Sequence, residues 1–117
     1  ITNGSGAQDI TRIINVMIQH GITFENINFH EIFRCDDHGK KIILQRIRRD
    51  LKTGLNNLAH MCIDYPENDI ILEYANNLFE YKNVHNEMKI INGTASRGGQ
   101  VSVKHFFNGL VQESAQK

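Results

Sequence analysis

Apolar residues recur along this chain at the three-and-four spacing of helices, and polar breaks divide them into separate stretches. Ile10, Ile13, Ile14, Met17 and Ile18 mark one face of a first helix over residues 9–20, with Asp9 as its N-cap and Gly21 as its stop. Residues 22–33 are ambiguous: Ile27 and Phe29 alternate like a strand. Asn28-x-x-Glu31 is also a capping box, and a short helical turn is the preferred reading. A second helix is predicted over residues 40–62, with Leu44, Ile47, Leu51, Leu55, Leu58 and Cys62 as its seam. Gly54 inside it predicts a kink or a close helix–helix approach.

Asp64 to Glu67, with Pro66, reads as the capping box of a third helix carrying Ile71, Tyr74, Ala75, Leu78 and Tyr81 on one face. Nothing stops that helix before Asn92-Gly93, so it is expected to run on to Met88 or Ile91. Residues 94–100 read as a flexible loop. Ser102 then caps a last helix patterned by Val103, Phe106, Phe107, Leu110 and Val111, with Gly109 weakening its final turn. The expected fold is all-α: one domain over residues 9–113, a bundle of four main helices with a short extra helix or extended segment in the first long connection. Residues 1–8 and 114–117 are expected to be tails, the first of them flexible.

Composition narrows the functional classes. The 117 residues suit one domain, and 40% hydrophobic content is too high for a disordered chain. No apolar run approaches the ~20 residues of a membrane span. The formal net charge of zero argues against a strongly basic nucleic-acid binder. It hides an asymmetry, however. Residues 34–52 hold seven basic and three acidic side chains, whereas residues 64–87 hold six acidic ones and one lysine, Lys82. The two helices are expected to lie antiparallel, with these charges either facing each other at the rim or steering a charged partner or self-association.

Chemistry-bearing patterns are sparse. Cys35-x-x-His38 and His60-x-Cys62 resemble metal half-sites, but they flank the long helix, roughly 35 Å apart at ~1.5 Å per residue. The same distance forbids a disulfide between Cys35 and Cys62. Free thiols point to a reducing compartment, cytoplasmic or nuclear; sequons at Asn3 and Asn92 leave secretion as the alternative. No nucleophile elbow or phosphate-cradling loop occurs, so no catalytic residue, metal, cofactor or small-molecule substrate is expected.

Lys40, Lys41, Arg46, Arg48, Arg49 and Lys52 lie mostly off the apolar seam, and Phe79 lies off the stripe of the third helix. The expected function is therefore non-enzymatic: an interaction domain that binds another protein or itself. Arg46, Arg48, Arg49 and Lys52 form its basic side, and Glu73, Phe79 and Glu80 its other side. Leu72-Glu73-Tyr74-Ala75-Asn76-Asn77 resembles a helix of PUB-type adaptor domains, without the aromatic finish of that pattern. The loop lengths resemble short-chain four-helix cytokines in architecture, which makes a secreted ligand the first alternative. A viral or nucleoprotein-type domain contacting RNA backbone through the basic helix is the second.

Overall fold

Asp9 does not cap the first helix. The computed structural model describes residues 6–115, and α1 (Gly6–His20) already includes Gly6 to Gln8. Residues 6–8, expected in the first tail, are therefore helical; residues 1–5 and 116–117, with the Asn3 sequon, lie outside the described residues. Asp9 sits in the first turn and pairs with Arg46 at 3.0 Å. Gly21, at φ 62°, ends α1 as its sequence position suggests, while Ile18 is exposed rather than packed.

The ambiguous connection is helical. A 3₁₀ turn (Phe24–Asn26) precedes α2 (Phe29–Ile32), and the Asn28 side chain accepts from the Glu31 N–H as the capping box requires. Phe24 stacks on Phe107, with ring centroids 5.1 Å apart, and the Phe24 N–H donates to Asn108. The last helix therefore holds this connection in place.

The centre of the molecule is α3 (Asp37–Asp64), capped by Asp36 and packed against α1, α2, α4, α5 and α6. Its buried residues are Ile43, Ile47, Leu51, Leu55, Ala59 and Cys62. A residue every four advances ~40° around a helix, so this stripe winds by about 160° from Ile43 to Ala59. Different neighbours consequently meet different lengths of α3. The helix runs on through Gly54, where a Cβ would lie 3.7 Å from the Phe79 ring, an ordinary packing distance.

The third helix is not one helix. α4 (Asp69–Phe79) starts after Asn68, whose side chain accepts from Ile70 and Ile71 N–H, so the cap is Asn68 and not Asp64, which ends α3. α4 stops at Glu80, and α5 (Tyr81–Ile91) begins immediately. The reason is the register of what is buried. Phe79 and Val84 are both within 3% of full burial. Five residues apart on one helix, they would point about 140° away from each other. Breaking at Glu80, with φ 68° and ψ 138°, lets both face the core.

α6 (Val103–Ala115) has the expected Ser102 cap, with the His105 N–H donating to its Oγ at 3.2 Å, and it runs through Gly109 past residue 113. A Cβ at Gly109 would lie 2.5 Å from the Asn77 carbonyl oxygen, so this glycine lets α6 lie close on α4. The chain is all-helical, with six α-helices and no strand among the described residues. None of these helices is long and apolar enough to cross a membrane.

Candidate functional site

Arg48 and Arg49 are exposed on α3, and with Gln45 and Lys52 they line a groove of about 630 Å³. Its other wall is Gly99, Gln100 and Val101. Lysine and arginine on one helix project there because they fall outside the winding apolar stripe. No ion pair involves Arg48 or Arg49 among the described residues. No aromatic side chain lines the groove.

The second wall was expected to be a flexible loop, yet it is anchored. Glu87, an acidic residue inside the Val84–Met88 stripe of α5, is 4% exposed. Its Oε1 accepts from Lys52 Nζ and from the Gly99 N–H, each at 3.0 Å, and its Oε2 accepts from Asn56 at 3.0 Å. Lys52 also donates to the Gly99 carbonyl. Burial alone would push the Glu87 carboxyl up; the hydrogen bonds from Asn56, Lys52 and Gly99 and the lysine charge outweigh it, and the group lies below its ordinary value. Gln100 N–H donates to the Asn83 side chain at 3.2 Å, and a Cβ at Gly99 would fall 2.0 Å from the Asn83 carbonyl oxygen. Only glycine permits that approach. The legible signals were Gly98-Gly99 and an acid in an apolar stripe.

The remaining expected site residues are dispersed. Arg46 turns to α1, where it pairs with Asp9. Glu73 and Glu80 line a second, polar groove of about 620 Å³ between α4 and α6, which shares no lining residue with the first. There His105 Nδ1 lies 3.5 Å from Glu80, and Asn77 donates to Glu113. Phe79 is not a surface anchor: it is 3% exposed, against Gly54 and with its ring 5.6 Å from that of Phe106. It lies four residues after Ala75, on the buried stripe itself. Tyr81, expected on that stripe, is exposed.

The opposite charges of α3 and α5 do meet, at Lys52–Glu87, where the Glu87 carboxylate is buried and the Lys52 side chain stays half-exposed. Cys35 and Cys62 are both free, and burial pushes the Cys62 thiol up, away from reactivity. Among the described residues no group of three His, Cys, Asp or Glu side chains is placed to hold a metal ion.

No curated protein and no solved structure matches the chain. The model of the YcbB domain family matches residues 1–110, nearly the whole length, and the chain belongs to that family.

Proposed function

We propose that the chain is a non-enzymatic helical interaction domain whose α3 groove receives an acidic segment of another protein. The observation that carries this reading is the exposed Arg48–Arg49 pair beside Lys52 and the apolar Val101. Guanidinium groups pair with carboxylates in a bidentate fork, and an apolar floor beside them suits a peptide with alternating acidic and apolar residues. Glu73 and Glu80, between α4 and α6, offer a second face of opposite charge.

A second reading rests on the same arginines, since phosphates suit them equally: a nucleic-acid backbone in the groove. The absence of a stacking aromatic from the lining favours the protein partner over a single strand. Fluorescence anisotropy with a poly-glutamate peptide and with a DNA duplex, each titrated with salt, separates the two. The peptide is expected to bind, and Arg48→Ala with Arg49→Ala to weaken it by about tenfold or more, with the unfolding midpoint unchanged. A duplex that binds more tightly than the peptide, with a salt slope reduced by about 2 in the double variant, would replace the protein reading by the backbone one.

A further inference from the structure

The Glu80 junction combines three features. It is a connection of one residue between two helices. That residue is neither glycine nor asparagine, yet it holds φ 68°. And the surrounding sequence, Leu78-Phe79-Glu80-Tyr81-Lys82, contains no helix breaker. The break is completed by a substitution of groups. In an unbroken helix the Asn83 backbone N–H would donate to the Phe79 carbonyl. Here that N–H goes to the Glu80 carbonyl at 3.1 Å, and the Asn83 side chain donates to Phe79 O at 2.9 Å in its place.

We propose that this chain associates with a second copy of itself by exchanging everything after Glu80, with α4 and α5 of each copy fused into one helix from Asp69 to Ile91. Straightening within one copy is prevented by the core, because Phe79 and Val84 could not then both be buried. Exchange removes that conflict. Val84, Glu87 and Phe107 of each copy pack on α1–α4 of the other in their present positions, so the interior contacts are retained between chains. The fused helix relieves the backbone at Glu80. It also adds the helical hydrogen bonds from Tyr81 to Asn77, Lys82 to Leu78 and Asn83 to Phe79. A strained, minimal hinge with the same contacts kept on either side is the condition under which exchange costs least. The hinge lies outside the lining of the basic groove, but in an exchanged dimer its two walls come from different chains, Gln45, Arg48, Arg49 and Lys52 from one and Gly99, Gln100 and Val101 from the other.

Light scattering after refolding at high protein concentration, followed by zero-length carbodiimide coupling, tests the proposal. Lys104 and Glu25 lie 3.8 Å apart, both are exposed, and they sit on opposite sides of the hinge. In an exchanged dimer this pair joins two chains, and coupling yields a covalent dimer on a denaturing gel. Glu80→Gly, which accepts φ 68° freely and disfavours the fused helix, is expected to raise the dimer dissociation constant about tenfold or more. Asn83→Ala, which removes a bond to Phe79 made only in the broken form together with the Gln100 contact that both forms keep, is expected to lower it. A wild-type chain and an Asn83→Ala variant that both stay monomeric would overturn the proposal. So would a dimer in which coupling gives only monomer-sized product, and so would a dimer that Glu80→Gly leaves unchanged. If Asn83→Ala fails to fold, a wild-type chain that stays monomeric overturns the proposal by itself.

Discussion

α3 runs unbroken from Asp37 to Asp64 with Gly54 in its second half, whereas the segment from Asp69 to Ile91 breaks at Glu80, where neither glycine nor proline stands. Local propensity ranks the two the other way round. The difference lies in what each helix must bury. Along α3 the buried positions follow one another by four and then three residues, a stripe that a single helix can present to neighbours arranged around it. Along α4 and α5 the stripe jumps by five, from Phe79 to Val84, and one helix cannot present both. Packing therefore overrides a weak breaker in one place and imposes a break in the other.

The largest effect expected from disturbing this contrast is at Phe79. Removing the ring deletes the contact that fixes the end of α4 against Gly54, and Phe79→Ala should cost about 3–5 kcal/mol in denaturant unfolding. A cost under ~1 kcal/mol would mean that Phe79 does not set the register. Next comes Glu87, on the α5 side of the break. Glu87→Gln should cost about 1.5–3 kcal/mol at neutral pH, since hydrogen bonds to a buried charge are lost.

That cost carries a pH signature. The carboxyl is held below its ordinary value, so its contribution is present in full above the usual carboxylate range and fades as pH falls through the lower folded-state value. Stability curves of wild type and Glu87→Gln should therefore converge on acidification; a gap that stays constant would contradict the assignment. Glu80→Gly should raise the stability of the monomer by about 1 kcal/mol, as relief of backbone strain exceeds the added freedom of the unfolded chain. The smallest effect is at Gly54. A methyl there meets only an ordinary contact with Phe79, so Gly54→Ala should stabilise by about 0.5–1 kcal/mol through helix propensity. A loss of stability instead would show that α3 and α4 need the bare backbone at that point.

Features set by neighbours in sequence were legible. The Ile13–Met17 stripe, the Asn28 box, the Gly21 stop and the Ser102 cap each depend on residues within one or two turns. The all-helical class followed from the same local periodicities. What escaped depended on partners far along the chain. Asp9 looked like a cap, but a guanidinium on α3 claims its carboxylate. The 98–100 segment looked free because its anchors, Lys52, Asn83 and Glu87, come from two other helices. Of the basic residues singled out, Arg48, Arg49 and Lys52 do share one groove, because all lie off the buried stripe; Arg46 was lost to α1 by the same long-range pairing that moved Asp9.

Lys52 belongs both to the groove lining and to the Glu87–Gly99 clamp beneath it. Any anionic ligand that draws its ammonium outward weakens the packing of α5 in the act of binding. The cost of parting Lys52 from Glu87 is then contained in the dissociation constant itself, so at equal affinity and concentration such a ligand stabilises the folded chain as much as one held by Arg48 and Arg49. The clamp thus lowers the affinity of Lys52-directed ligands without setting thermal shift and direct titration at odds.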